Sequence, residues 1–183
     1  SDDFGFTVSI SGDNVVVGAY YDNYNGQATG SGYIFERDEA GTWTEVQKLT
    51  ASDGAEGDDF GNSVSISGDS VVVGAYRDDN DNVFQSGSAY LFERDGAGTW
   101  TEVQKLSASD GVTNWFGNSV SISGDRVVVG ARRDNGYTGS AYIFERDGDG
   151  VWVETQKVTA SDGDWSDDFG FTVSISGDNV VVG

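Results

Sequence analysis

The chain has 183 residues, with 31 acidic side chains against 10 basic ones and a formal net charge of -21. Such acidity argues against nucleic-acid phosphates and against anionic membrane surfaces as partners. With no cysteine and no histidine, disulfides, Ser-His-Asp and Cys-His catalysis and ordinary Cys/His zinc sites are excluded, and no apolar run has the length of a membrane span.

The first predicted element is "TVSIS" (7–11), which alternates apolar and small polar residues as a strand does. "GD" (12–13) is a tight-turn dipeptide. "NVVVGAY" (14–20) is a β-branched strand, apolar on both faces, and a polar loop follows it. "GYIFER" (32–37) is a third strand, "DEAG" (38–41) a second turn, and "TWTEVQKLT" (42–50) a fourth strand with Trp43 and Leu49 among polar residues. "ASDGAEGDD" (51–59) leads onward. No stretch keeps the i, i+3, i+4 apolar pattern of a helix.

This unit then recurs. Phe-Gly pairs stand at Phe4, Phe60, Phe116 and Phe169, spaced 56, 56 and 53 residues apart. "DDFGNSVSISGDSVVVGA" begins at Asp58 and "NWFGNSVSISGDRVVVGA" at Asn114, while residues 166–183 repeat residues 1–18 letter for letter. The units are 1–57, 58–113, 114–165 and the opening of a fourth, 166–183. The return of the first unit's own wording predicts a longer period of 165 residues. Both ends fall within a unit, so the chain is expected to be a segment of a longer array.

Polarity grows along each unit. The first strand carries only Ser9 and Ser11 on one face, which lets a neighbouring sheet approach closely, and the fourth carries Glu45, Gln47 and Lys48. A strand order from crowded interior to wet rim is that of a radial stack of four-stranded sheets, each sandwiched between two others. The fold predicted is all-β: four-stranded antiparallel β-propeller blades in tandem, three full blades plus the start of a fourth. A propeller needs about four to eight blades, so further blades of the same chain or further copies of it are expected partners. Six blades from two periods is the favoured ring, and an open β-blade superhelix or filament is the alternative.

"FGxSVSISGDxVVVGA" followed by "GSAYxFER" resembles the FG-GAP repeat, in its bacterial variety with linkers like "LTASDG", over essentially the whole chain. The residue directly after the Gly-Ala is Tyr20, Tyr76 or Arg132 rather than proline. The resemblance implies blades like those of the integrin α head and an extracellular or cell-surface setting. That family's calcium loop is not carried over: "SGD" at Ser11–Asp13, Ser67–Asp69 and Ser123–Asp125 is too short to surround an ion that wants about six to eight oxygens.

Candidate sites lie in the loops. "YRDDNDNVFQSG" (76–87) places Asp78, Asp79, Asn80 and Asp81 together, which makes Ca2+ the cofactor to consider; otherwise these residues brace a solvated loop. Tyr20, Tyr21, Tyr24, Phe84 and Tyr137 make the loops aromatic, suited to stacking against a glycan or to packing on the next unit. The recurring linker acids Asp53, Asp110 and Asp162 are expected to serve Asp-Gly turns. Recurring Glu36, Arg37, Glu45 and Lys48 are expected to form cross-strand pairs in the outer hairpin. Near-identical units and the absence of catalytic motifs predict a non-enzyme. The expected function is that of an extracellular structural repeat protein, a scaffold, fibre or adhesin segment. A module binding glycan or a cell-surface protein is the second possibility.

Overall fold

The computed structural model describes residues 2–24, 27–80, 83–111 and 114–183. The first sheet contains Thr7–Ser11 (β1), Asn14–Ala19 (β2), Ser31–Arg37 (β5) and Trp43–Leu49 (β6) in the order β1-β2-β5-β6. The short hairpin Asn23–Tyr24 (β3) and Gln27–Ala28 (β4) decorates its loop. Ser63–Ser67 (β7), Ser70–Ala75 (β8), Ser88–Arg94 (β9) and Trp100–Leu106 (β10) repeat that order, and so do Phe116–Ser123 (β11), Arg126–Ala131 (β12), Ser140–Arg146 (β13) and Trp152–Val158 (β14). Val173–Ser176 (β15) and Asn179–Val182 (β16) form the opening hairpin of a fourth blade. All pairings within the sheets are antiparallel. The only helical turn among the described residues, Asp134–Tyr137 (α1), is broken by the left-handed residues Asn135 and Gly136.

The register follows the sequence pattern. Ile10 faces Val15 and Val8 faces Val17 across β1 and β2, so the apolar residues of the first strand share one face. A bulge recurs where the third and fourth strands pair: Ile34 and Phe35 oppose Gln47 and Glu45, and Ile143 and Phe144 oppose Gln156 and Glu154. It leaves Val46 and Val103 of the outer strands exposed.

The core lies between the sheets. Val16, Ile34 and Leu49 of the first blade pack with Phe60, Val64, Ile66, Val71, Val73, Tyr90 and Trp100 of the second. Val72, Leu91 and Leu106 leave the other side of the second blade to meet Phe116, Val120, Ile122, Val127, Val129 and Tyr142 of the third. This explains strands that are apolar on both faces: alternate valines of one strand serve two different joints.

Every joint uses the same backbone device. The FG phenylalanines Phe60 and Phe116 are fully buried between blades. The FG glycines Gly61, Gly117 and Gly170 lie at the joints with left-handed φ, and a Cβ on Gly61 would stand 2.3 Å from the Ser31 carbonyl oxygen. First-strand serines then reach across. The Ile66 and Gly68 N–H groups donate to Ser9 and Ser11 Oγ, those of Ile122 and Gly124 to Ser65 and Ser67, and those of Ile175 and Gly177 to Ser121 and Ser123. Thr7, Ser63 and Ser119 hydroxyls donate to the carbonyls of Gly61, Gly117 and Gly170. The small residues of the first strand are therefore cross-joint hydrogen-bonding groups as well as spacers.

The charged residues correct one expectation. Among the described residues they do not pair across the outer hairpin: several pair between blades, while Arg37 lies near Asp13 and Glu145 near Arg126 within their own blades. Arg94 meets Glu36 at 2.7 Å and Arg146 meets Glu93 at 3.0 Å. Glu102 accepts from the Ser52 N–H and hydroxyl, and Glu154 accepts from those of Ser109. Gln47 brackets the backbone of Trp100, and Gln104 that of Trp152, each as donor and acceptor. The outer hairpin turn is braced separately, as where Asp95 accepts from the Ala97 and Thr99 N–H groups.

Candidate functional site

The recurring lysine anchors a polar cluster at the second and third blades. Lys105 Nζ lies 2.7 Å from both Asp53 and Asp78, and the Tyr90 hydroxyl donates to Asp53 at 2.8 Å. Lys157 lies between Asp110 and Asp134, with the Tyr142 hydroxyl on Asp110. In the first blade Lys48 meets Asp22 at 2.6 Å and Tyr33 donates to the same carboxylate at 2.7 Å. One acid comes from the blade's own loop and the other from the preceding linker, so the lysine ties a linker to a blade. Asp53 and Asp110 thus meet their lysines from within the expected turns, which the Gly54 and Gly111 N–H groups close onto the Ala51 and Ala108 carbonyls.

The charges shape one another. Burial acts to lower Lys105, but Asp53 and Asp78 outweigh it and hold its pKa above the usual lysine value. Burial likewise acts to raise Asp22, and donation from Lys48 and Tyr33 overrides it, so its carboxyl is held below the usual range. Tyr90 is pushed far up by burial and by the neighbouring Asp78. Asp58, 5% exposed, is pushed up to about 6 chiefly by burial, with Asp78 adding to the rise.

These contacts account for the acidic loop. Asp78 is turned inward onto Lys105 and the Ser88 hydroxyl. Asp79 is exposed and accepts from the Gln85 N–H at 2.7 Å. The Asn80 amide donates to the Gly87 carbonyl. Asp81 lies outside the described residues. Among the described residues no three His, Cys, Asp or Glu side chains gather as a metal site.

The loop aromatics divide. Tyr20 stacks between Phe6 at 4.7 Å and Tyr21 at 4.3 Å, and burial together with Asp3 pushes its hydroxyl up to about 12. The Tyr24 side chain lies outside the described residues. Phe84 stands 68% exposed on the second blade's loop. Tyr137 is 39% exposed and lies 6.4 Å from Trp165, itself 74% exposed.

Three residues at this rim escaped sequence reasoning: Trp115, Arg133 and Trp165. The signal was substitution between units. Trp115 stands where the preceding unit has Asp59, directly before the FG pair, and Trp165 stands where the first linker has Glu56. Asp59 pairs with Arg77 at 3.1 Å. Its replacement by Trp115 turns the equivalent Arg133 from an ion pair to a stack, with Cζ 3.2 Å from the indole centroid.

Two concavities accompany these features. A groove of about 630 Å³ runs along the first strands of all four units, lined by Phe6, Tyr20, Asn62, Tyr76, Arg132 and Phe171 among others. A second of about 460 Å³ is bounded by Asp110, Arg133, Asp134, Asn135, Lys157 and Thr159.

Four-stranded meanders joined face to face through their first strands define an array of β-propeller blades. The FG-GAP repeat model matches residues 1–35, 43–92, 100–144 and 152–183, and the chain belongs to that family. The last three matched segments begin at the outer strand of one blade and run into the next. A search of curated proteins gave no match.

Among solved structures, Sqt1 of Chaetomium thermophilum is similar at 15% identity and a TM-score of 0.57, over 88% of this chain and 37% of that one. The GH32 β-fructofuranosidase BmSUC1 of Bombyx mori is similar at 16% identity and 0.48, over 86% and 35%. The periplasmic gluconolactonase PpgL of Pseudomonas aeruginosa is similar at 14% identity and 0.44, over 96% and 64%. The chain therefore spans less than two thirds of each. These likenesses correct the expectation of a non-enzyme, since enzymes stand among the similar structures. At such identities the likeness reaches the fold and assigns no activity to this chain.

Proposed function

We propose that the chain is a structural segment of a larger β-blade scaffold deployed outside the cell, whose partners are further blades of the same kind. The observation that carries this reading is the uniformity of the joints. The same serine, glycine and phenylalanine contacts recur at all three, including the joint reached through a unit of 53 instead of 56 residues. A part that must be added repeatedly needs one joint geometry, and identical residues supply it. The upstream face of the first blade carries the same joint residues uncovered: Val8 is 65% exposed and Phe4 57%. These match the buried Val64 and Phe60, so a blade of the same type fits that face.

The test joins two 165-residue periods in one polypeptide and images the product by negative-stain electron microscopy. Closed rings or regular fibres are expected. Separate, irregularly spaced beads would overturn the scaffold reading. Protease shaving of intact source cells tests the setting: release of the repeats without lysis is expected, and protection until lysis would overturn an extracellular location.

A further inference from the structure

We propose that the rim at the third joint is a binding site for a neutral oligosaccharide, with Trp165 and Tyr137 as the stacking platform and Arg133 and Asn135 as hydrogen-bonding groups.

Trp165 is the first observation. Its indole is 74% exposed, a costly position for the largest apolar side chain. The exposure is a property of the linker, because the equivalent Glu56 is also exposed beside a complete second blade. Tyr137 lies 6.4 Å from Trp165 with the rings inclined at 60°. Two adjacent, partly open aromatic faces suit the apolar C–H faces of sugar rings.

Unspent polar capacity is the second. In the preceding blade Arg77 is consumed by Asp59. Arg133 meets no carboxylate among the described residues: its guanidinium carbon lies over the Trp115 ring, 3.2 Å from the centroid, and 5.0 Å from that of Tyr137. Stacking leaves its in-plane N–H donors available. The Asn135 carboxamide has no side-chain hydrogen bond among the described residues, and Asn135 is exposed. Both residues border the 460 Å³ concavity, alongside Asp110, Asp134 and Lys157. Arg133 thus connects that concavity to the aromatic pair through Tyr137.

Charge selects the class of sugar. The lining sets Arg133 and Lys157 against Asp110 and Asp134, so it carries no net charge, and the chain as a whole stands at -21. An acidic glycan would meet repulsion from that field. Hydroxyls instead find the Arg133 and Asn135 donors and the partly exposed Asp110 carboxylate as acceptor, Asp134 being buried against Lys157 and Ser140.

The test titrates the 183-residue chain with cello-, manno- and maltohexaose, following intrinsic tryptophan fluorescence and calorimetry. Saturable binding of at least one is expected, with a spectral shift from the exposed indole. Trp165→Ala and Arg133→Gln should each weaken it at least tenfold while leaving the melting temperature within a few degrees. Phe84→Ala, on the neighbouring blade's loop, should leave it unchanged. Absence of binding to all three, binding confined to uronate oligomers or inorganic sulfate, or full affinity in both rim variants would overturn the proposal. If a rim variant fails to fold, protection of Trp165 from N-bromosuccinimide by the bound hexaose decides: protection supports the site and its absence refutes it.

Discussion

The same phenylalanine occurs in different surroundings along this chain, which makes the FG pair its own control. Phe60 is completely buried at the first joint, with its ring 5.4 Å from Tyr90 and 6.1 Å from Phe92. Phe4 holds nearly the same position against its own blade, 5.4 Å from Tyr33 and 6.2 Å from Phe35, yet is 57% exposed because no blade covers it. The in-blade ring contacts are therefore matched, and the difference is the joint. Phe60→Ala removes a buried aromatic side chain and leaves a cavity lined by Val16, Ile34 and Leu49, which costs about 3–5 kcal/mol. Phe4→Ala gives up only the ring pairs and part of the area, about 1 kcal/mol. Urea unfolding followed by tryptophan fluorescence, with midpoints compared at a common m-value, measures both. Equal losses for the two changes would refute the claim that the joint, and not the blade, is what the FG phenylalanine stabilises.

The glycine of the pair separates conformational strain from close approach. Gly5→Ala meets nothing within 4 Å but has φ +86°, and should cost about 1 kcal/mol, whereas Gly61→Ala adds a collision 2.3 Å from the Ser31 carbonyl and should cost at least twice that in the same assay. Lys105→Met strands Asp53 and the buried Asp78, and should destabilise by about 2–3 kcal/mol; adding Asp78→Asn should recover much of the loss, and a purely additive double variant would contradict the coupling. Asp58 carries a pKa raised to about 6, so between pH 4 and 6 the folded state binds more protons than the unfolded state and stability falls as pH rises through that window. Asp58→Asn, the residue the next unit has at Asn114, should abolish that decline and stabilise at pH 7 by about 1–3 kcal/mol; an unchanged pH profile in thermal melts would show that Asp58 is not the group responsible.

The strands were legible because local periodicity records them directly. Alternation in "TVSIS" and the β-branched "NVVVGA" placed the elements found in the structure, and the rise in polarity from first to fourth strand placed their order. Partners across the joints were not legible. Arg94 and Glu36 are far apart in sequence, and nothing local says that Arg94 bonds the preceding blade's Glu36 rather than a residue across its own hairpin. The linker aspartates were legible as turn residues because Asp-Gly is turn chemistry, and the turns form; their lysine partners were not, because these come from the following blade's fourth strand, as Lys105 does for Asp53. At the rim, the aromatic loop marks Tyr137 but not Trp165, which sits in a linker. Only aligning the units residue by residue exposes the Glu56-to-Trp165 exchange.

That exchange points to a division of labour within each unit. The joint residues stay fixed while the segments between them vary. The Ser-to-backbone bonds persist whether the loop between second and third strands runs from Ala75 to Ser88 or from Ala131 to Ser140. This independence has a structural cause. The first strand, the FG pair and the fourth-strand lysine define how blades stack, and the rim loops leave the stack from the ends of strands already fixed in place. A substitution at the rim then changes what the surface presents at little cost to assembly. The replacement of Asp59 by Trp115 shows it: an ion pair at 3.1 Å becomes a guanidinium-indole stack, and the neighbouring Phe116 remains fully buried. Arrays built this way diversify at their edges while reusing one joint, so unit-specific chemistry belongs at the rim, where Arg133, Tyr137 and Trp165 stand.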